Sequence, residues 1–460
     1  MFSYMRRGPG FYREVAVLAT PIVLQNLITS MLGMADTFMV GLLGELPMAA
    51  VTLANIPIFV VQLFIFGVQS GSSILISQYW GRKDMAAINR VMGVAMWIVF
   101  LVSSVFAWIL FFFPSQFLGL FGNQPEVIAL AARYGRIAGL SCVFDSLVMI
   151  YVAAYRSMER PKLGMYILVV SMLVNTFLNW VLIFGKLGAP ALGVEGAALA
   201  TLIARILELA IVAVHMCTTR FFRISPTLLL RPGLEPTRRF LRYGLPVVAN
   251  ETLWGMGNSV YTTVMGHMEG STEILAGYTV AGNVDKICMV MAFGLSSTAA
   301  IIIGREVGAG KEKDVPNVGK ALLFLSALFG AGIGLLLFLF ARYLAPTLVF
   351  PLFKMSAAAC SAATIMMSTQ AFIRPLRDFN TVCIVGVLRG GGDVKAATLI
   401  DLLPLWAVAI PLTALCGLVL KLPIGWVYLA TMVEQAFKLV LGLWRMRTGK
   451  WVRDLTRNSH

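Results

Sequence analysis

The sequence is dominated by apolar runs that are long enough to cross a lipid bilayer as helices. A spanning helix needs about 20 apolar residues, and only helices or closed barrels satisfy every backbone polar group in lipid. Hydrophobic residues make up 58% of the 460-residue chain, and charged residues make up 13%. The runs have helix length, so we predict an all-α membrane protein with twelve transmembrane helices at 15–42, 49–79, 90–113, 136–155, 164–185, 193–217, 240–266, 274–304, 318–341, 358–388, 396–419 and 424–444.

The second half of the chain repeats features of the first half in the same order. The matches are Pro21 with Pro246, Phe66–Gly81 with Phe293–Gly308, Asp145 and Arg156 with Asp378 and Arg389, and Leu199-Ala-Thr201 with Leu429-Ala-Thr431. An even number of spans in each half means that both halves enter the membrane from the same side. We therefore predict two pseudo-symmetric six-helix lobes that form a parallel repeat.

The charge distribution predicts how the chain is oriented in the membrane. The net charge is +15, and basic residues concentrate on one set of loops, including Arg82, Arg223, Arg389 and Lys450. The positive-inside rule then puts both termini in the cytoplasm of a multi-pass plasma (inner) membrane protein. The predicted domains are the N-lobe 1–217 with helices 1–6, a cytoplasmic linker loop 218–239, the C-lobe 240–445 with helices 7–12, and a cytoplasmic tail 446–460. Such charges suit anionic membrane lipid, and we expect no nucleic-acid partner.

One carboxylate lies deep in the first span. An ionisable residue at the bilayer centre costs about 2.5–3.5 kcal/mol on insertion scales, so Asp36 calls for a functional reason. The sequence around Asp36 offers no neighbouring cation, whereas Asn175 and Asn179 share one face of the fifth helix and Thr201 lies on the sixth. Carboxylate, amide and hydroxyl oxygens are ligands for hard cations such as Na⁺. A proton could titrate Asp36 instead.

The motifs of the chain resemble those of the multidrug and toxic compound extrusion (MATE) transporters. They are Pro21 with Ala35-Asp-Thr-Phe-Met-Val-Gly41, Ile76-Ser-Gln78 before Gly81, Gly193-Val-Glu-Gly-Ala-Ala-Leu-Ala-Thr201 and Gly304-Arg-Glu-Val-Gly-Ala-Gly310. The resemblance covers nearly the whole chain. It implies a V-shaped, two-lobed fold and a secondary antiporter that exports organic, often cationic, compounds in exchange for Na⁺ or H⁺. The family's amino-lobe cation site is similar to the set Asp36, Asn175, Asn179 and Thr201.

In the C-lobe, Glu251 and Asp378 occupy positions that resemble those of the NorM-like branch of the family. There the acids are implicated in Na⁺ coupling or in holding a cationic substrate. This chain departs from that pattern, because Arg374 and Arg377 precede Asp378. Arg374 could pair with Asp378 or Glu251 and cancel its charge, or it could bind an anionic or zwitterionic substrate. Asp285 could line the cavity or anchor the eighth helix.

We expect a transporter of small molecules that acts as a monomer and uses no cofactor other than Na⁺ or H⁺ as coupling ion. A lipid-linked oligosaccharide flippase of the same superfamily is the nearest alternative, since the two arginines would suit its cationic cavity. An enzyme is not expected, because the short loops lack paired acids or a metal triad. An ion channel is disfavoured, because no filter-like segment occurs and a two-lobed repeat suits alternating access.

Overall fold

The chain has a long helix at each of the twelve predicted positions. The computed structural model describes residues 8–352 and 355–456. Residues 1–7 of the predicted N-lobe and 457–460 of the predicted tail lie outside the described residues. The helices are α1 Pro9–Gly41, α2 Glu45–Gly81, α3 Met85–Phe112, α4 Pro125–Ser157, α5 Lys162–Phe184, α6 Val194–Thr218, α7 Leu234–Gly266, α8 Ser271–Gly308, α9 Val315–Val349, α10 Ala357–Thr381, α11 Val394–Val419 and α12 Ile424–Arg447.

Ten of these helices are long and apolar enough to cross a membrane by length and composition. The other two, α7 and α10, do not meet this criterion, and each carries charged residues within its predicted span. Glu251 lies on α7, and Arg374, Arg377 and Asp378 lie within one turn or so of each other on α10. Helices with such charges are stable in a bilayer when the charged side chains face other helices. These side chains of α7 and α10 pair with other residues of the C-unit.

The helix ends differ from prediction where local signals override hydropathy. Helix α4 begins at Pro125, well before residue 136, because proline suits the first helical position. The α-helical part of α10 ends at Thr381 and continues as a wider π-helical stretch over Val382–Leu388. Similar stretches occur within α9 at Phe340–Val349 and within α11 at Leu405–Ala409 and Leu415–Val419. Such stretches change the direction of side chains along a helix and often occur at functional sites.

The chain folds as two compact units whose boundaries lie inside helices. The N-unit is Leu24–Val248, and the C-unit comprises the described residues up to Val23 and those from Ala249 onward. Both boundaries lie two residues after the repeated prolines, Pro21 in α1 and Pro246 in α7. The compact units therefore divide the chain within α1 and α7, whereas the predicted lobes were divided at the linker 218–239.

The linker is ordered and packs within the N-unit. It contains a short helix, Pro226–Leu230, and the buried side chain of Phe222. The side chain of Asn89 on α3 donates to the Arg223 carbonyl at 3.2 Å and accepts from the Ser225 N–H at 3.1 Å. The segment predicted as a loop is thus fixed to α3 by hydrogen bonds.

The predicted tail also packs against its own unit. Trp451 is fully buried in a hydrophobic cluster that includes Ile303 and Val387. The N–H of Arg453 donates to the Gly391 carbonyl at 2.7 Å, and Arg453 Nη1 lies 3.5 Å from Asp393 Oδ1. The described part of the tail is therefore held in the C-unit by apolar burial and ion pairing.

Close backbone approach positions the helices that carry the polar residues. A Cβ at Gly196 of α6 would lie 2.6 Å from the Leu182 carbonyl oxygen of α5, and a Cβ at Gly334 of α9 would lie 2.5 Å from the Ala371 carbonyl oxygen of α10. Real Cβ atoms do not approach so closely, so only glycine fits at both positions. Small residues of this kind let membrane helices pack tightly. In the N-unit the contact brings Thr201 of α6 beside the asparagines of α5.

Candidate functional site

The four residues predicted for a cation site lie together in the N-unit. Asn179 Nδ2 donates to Asp36 Oδ1 at 2.6 Å and to Asn175 Oδ1 at 3.1 Å. Asn175 Nδ2 in turn donates to Thr201 Oγ1 at 3.2 Å, and the Thr201 hydroxyl donates to the Ala197 carbonyl at 3.1 Å. A continuous chain of hydrogen bonds thus joins helices α1, α5 and α6.

Burial leaves one amide oxygen of this group without a hydrogen-bond partner among the described residues. Asn175 and Asn179 are each 1% exposed, whereas Asp36 and Thr201 are partly exposed. Asn179 Oδ1 is buried and has no hydrogen-bond partner among the described residues. An unpaired buried carbonyl oxygen costs about 1–3 kcal/mol, and a bound cation would remove that cost. The oxygen types present, carboxylate, amide and hydroxyl, fit a hard cation such as Na⁺.

A buried ion-pair group lies close to this chain. Arg205 Nη1 is 3.1 Å from Asp145 Oδ1 and 2.8 Å from Glu208 Oε1. Arg205 is one helical turn beyond Thr201 on α6 and is near enough to Asp36 to interact with it electrostatically. The guanidinium of Arg205 is paired with Asp145 and Glu208, and among the described residues no basic group lies within ion-pair distance of Asp36. The sequence does not place Arg205 near Asp36, because the two residues are far apart in the chain.

In the C-unit, Arg374 joins Asp378 and Asp285 in one network. Arg374 Nη1 is 2.6 Å from Asp285 Oδ1, and Arg374 Nε is 3.1 Å from Asp378 Oδ1. Arg377 Nη1 is 2.8 Å from Asp285 Oδ2. Two guanidinium groups therefore face two carboxylates, with the Arg374 side chain fully buried. The pairing of Arg374 with Asp378 that the sequence left open occurs, and Asp285 is a second partner.

Glu251 belongs to a different network of the C-unit. Arg389 Nη1 is 2.6 Å from Glu251 Oε1, and Lys438 Nζ is 2.8 Å from Asp401 Oδ1 and 3.3 Å from Glu434 Oε2. Arg389 was assigned to a loop, and this is wrong, because the residue is helical and its side chain is 1% exposed and paired. The partner of Glu251 is Arg389 rather than Arg374.

Sequence reasoning missed Asp401 and Asn250. Asn250 Nδ2 donates to Asp401 Oδ2 at 2.9 Å, and Asp401 also faces Lys438 at 2.8 Å. One signal could have pointed to this network. An aspartate in the eleventh predicted span has the same insertion cost as Asp36, so it also calls for a partner.

The two halves of the chain each match the same family model. A model named MatE matches residues 21–181 and 246–415, and the matched segments begin at the repeated prolines. The chain belongs to the MATE family. MATE proteins are transporters, so this chain is a membrane transporter and not an enzyme.

Relatives of known name are similar over nearly their whole length. A probable multidrug resistance protein NorM of Thermotoga maritima is 23% identical over 446 residues, which cover 96% of this chain and 94% of the relative. A protein of the same name from Rhodopseudomonas palustris is 28% identical over 425 residues, which cover 91% of this chain and 88% of the relative. This MATE chain therefore covers most of the length of both relatives.

Solved structures of similar transporters share the fold. A MOP superfamily transporter from Pyrococcus furiosus superimposes with a TM-score of 0.85 at 19% identity and covers 97% of this chain and 98% of its own. A MATE transporter of Vibrio cholerae superimposes with a TM-score of 0.83 at 19% identity and covers 96% of both chains. The predicted fold class, an all-α membrane protein of two six-helix lobes, is confirmed.

Proposed function

We propose that this MATE transporter is a secondary active antiporter that exports organic, cationic and amphipathic compounds in exchange for Na⁺ or H⁺ by alternating access. The observation that carries the proposal is the environment of Asp36. Among the described residues no basic group lies within ion-pair distance of this carboxylate, and its hydrogen-bonded neighbours are neutral. A carboxylate without a fixed counter-ion can exchange a mobile one.

Antiport follows from the two states that such a carboxylate can adopt. When Na⁺ or a proton occupies Asp36, its charge is neutralised and the surrounding helices lose a buried anion. When the ion leaves, the charge returns and favours a different arrangement of polar groups. Asn179, whose Nδ2 lies 2.6 Å from Asp36, orients the carboxylate in either case. Asn175 and Thr201 supply further oxygen atoms for Na⁺, and a proton needs only the carboxylate.

The proposed substrates are organic cations of small-molecule size. We propose that the transporter acts as a monomer surrounded by membrane lipid. The names of the Thermotoga and Rhodopseudomonas relatives, probable multidrug resistance proteins, support a substrate range of this kind. Methionine and phenylalanine are abundant, at 24 and 29 residues, and adaptable side chains of this type suit varied apolar ligands.

The alternative with an anionic or lipid-linked substrate needs an excess of positive charge in the cavity. Arg374 and Arg377 do not provide that excess, because Asp285 and Asp378 lie 2.6–3.1 Å from their guanidinium nitrogens. The balance of two cations and two anions favours a structural role for both arginines. The cationic substrate class is therefore the better supported one.

Transport by purified protein in proteoliposomes tests the proposal. A cationic dye should move against an imposed Na⁺ gradient, an imposed pH gradient, or both, and collapse of that gradient with an ionophore should stop the movement. Dye movement that is unchanged when both gradients are absent would overturn antiport. A parallel measurement with an anionic dye tests the substrate class, since we expect no gradient-driven transport of it.

We also propose that both termini and the linker face the cytoplasm of the plasma membrane. Cysteines introduced at Glu45 or Glu269 in a variant without the native cysteines should react with an impermeant maleimide added to intact cells. Cysteines at Arg223 or Lys450 should react only after permeabilisation. All four positions are exposed, so access to the reagent is limited by the membrane alone. The reverse labelling pattern would overturn this orientation.

A further inference from the structure

The proposed coupling reaction leaves one buried charge group of the N-unit unused. Arg205 lies between two carboxylates, with its Nη1 at 3.1 Å from Asp145 Oδ1 and at 2.8 and 3.0 Å from the two oxygens of Glu208. The side chains of Arg205, Asp145 and Glu208 are 14%, 12% and 1% exposed. This buried group therefore contains two carboxyl groups for one guanidinium.

Arg205 also belongs to the surroundings of Asp36. It follows Thr201 by one helical turn, so both side chains lie on the same face of α6, and Thr201 is the far end of the hydrogen-bond chain that begins at Asp36. Arg205 and Asp36 interact electrostatically. Tyr134 of α4 is a further titratable group that interacts with Asp36. The surroundings of Asp36 thus contain three carboxyl groups, those of Asp36, Asp145 and Glu208, and one guanidinium, which is paired with Asp145 and Glu208.

A helix-stabilising role alone does not account for this arrangement. An i,i+3 pair on an exposed helix contributes about 0.2–0.5 kcal/mol, and it needs no third group. Here the pair is buried and includes Asp145 from another helix, α4. Removing charges from water costs several kcal/mol per ion, so a buried triad of this kind needs more than local helix stability to justify it.

We propose that Arg205 is the internal counter-ion that competes with the coupling ion for Asp36. The inference rests on the proposed function, in which Asp36 binds Na⁺ or H⁺. When the ion leaves Asp36, the guanidinium moves from Asp145 and Glu208 toward the bare carboxylate. When the ion returns, the guanidinium goes back to its two partners. Arg205 is thus a positioning residue for the site. It sets the affinity for the ion and spares the protein an unpaired buried anion.

The competition makes two predictions of opposite sign. In Arg205→Gln the competitor is gone, so the apparent affinity of Asp36 for its ion should rise about tenfold, which corresponds to about 1.4 kcal/mol. In Glu208→Gln the guanidinium loses one of its partners and spends more time at Asp36, so the affinity should fall. A merely structural role predicts that both variants weaken binding, since both disrupt the same ion pair.

Ion binding to the purified full-length protein in detergent measures these effects. Binding of isotopic Na⁺ at fixed pH and proton release detected with a pH indicator cover both candidate ions. Arg205→Lys should restore affinity close to that of the wild type, because it keeps the charge. Arg133→Gln is the surface control, since Arg133 lies on α4 of the same unit with a side chain that is 69% exposed. Thermal unfolding of each variant monitors folding, and Glu208→Gln and Arg205→Lys remain informative if Arg205→Gln is unstable.

The outcomes separate this inference from the proposed function. If Asp36→Asn binds Na⁺ and protons as the wild type does, the proposed function itself fails. If Asp36→Asn loses binding while Arg205→Gln and Glu208→Gln shift affinity in the same direction, or not at all, only the counter-ion role of Arg205 fails. The counter-ion role is supported if the ion affinity rises in Arg205→Gln and falls in Glu208→Gln, and if neither shift occurs in the Asp36→Asn background.

Discussion

The N-unit and the C-unit repeat the same helices but use buried charge differently. Fifteen residues after the repeated proline, the N-unit has Asp36 and the C-unit has Tyr261. Four residues after the repeated threonine, Arg205 of the N-unit corresponds to Gln435, and seven residues after it, Glu208 corresponds to Lys438. Thus the backbone pattern of the repeat is retained while the charges are replaced or reversed.

Charge balance explains what this difference means for transport. The candidate site of the N-unit and its surroundings contain three carboxyl groups and one guanidinium, whereas the networks of the C-unit contain five carboxyl groups and four basic groups. Fixed cations nearly neutralise the acids of the C-unit, so these networks hold helices together. The N-unit has the larger deficit of positive charge and is therefore the better place for a mobile cation.

The largest effect is expected for Asp36→Asn. The substitution keeps the shape and removes the charge, so gradient-driven dye export should be abolished while folding is preserved. Proteoliposome transport and size-exclusion profiles measure the two properties. Tyr261→Phe is the matched control, since Tyr261 holds the corresponding position in the C-unit. This variant should retain most of the transport activity of the wild type. Wild-type export by Asp36→Asn would contradict the assignment of the mobile cation to the N-unit.

Arg374→Ala should give the next largest effect, and the effect should be on stability. The substitution leaves Asp378 and Asp285 with Arg377 as the remaining guanidinium of the network, and breaking a buried ion pair costs about 3–5 kcal/mol. The measurement is denaturant-induced unfolding in micelles. Arg374→Met combined with Asp378→Leu should recover much of the loss, because it removes both charges. An unchanged unfolding midpoint in Arg374→Ala would show that the C-unit network does not hold the fold.

Asn175→Ala and Thr201→Ala should have smaller effects on ion coupling. Each removes one neutral oxygen from the group around Asp36, so the apparent ion affinity should fall several-fold while maximal transport is retained. The dependence of dye export on Na⁺ concentration and on pH provides the measurement. Ser146→Ala, at a buried serine of α4 in the same unit, is the control and should leave affinity unchanged. Equal effects of all three substitutions would assign the α5 and α6 residues to packing alone.

The smallest effect is expected at an exposed ion pair of the C-unit. Lys421 Nζ donates to Glu269 Oε1 at 2.8 Å, and this hydrogen bond lowers the pKa of Glu269. A lowered carboxyl pKa stabilises the folded state above the pKa of the unfolded chain, and the contribution is lost as the pH falls through the folded pKa. Lys421→Ala should therefore lower the unfolding temperature slightly at neutral pH and leave it unchanged at strongly acidic pH. A large change at neutral pH would contradict the low value of exposed pairs.

The sequence by itself determined the membrane class, the helices and their repeat. These properties follow from local composition, because an apolar run of sufficient length forms a helix in lipid whatever its neighbours are. The candidate site of the N-unit could also be proposed from the sequence, since Asp36 has a high insertion cost and Asn175 and Asn179 have helical spacing. The helices α7 and α10 were predicted as well, although they are not among the ten that are long and apolar enough to cross a membrane by length and composition.

Only the tertiary structure decided which charges meet. Arg205 lies 60 residues beyond Asp145, and Arg389 reaches Glu251 from 138 residues away, so no local pattern reports either pair. The same reason explains why Arg389 was assigned to a loop and why Trp451 was assigned to a tail. Burial and ion pairing depend on helix packing over long sequence separations, whereas helix formation depends on neighbours within a few turns.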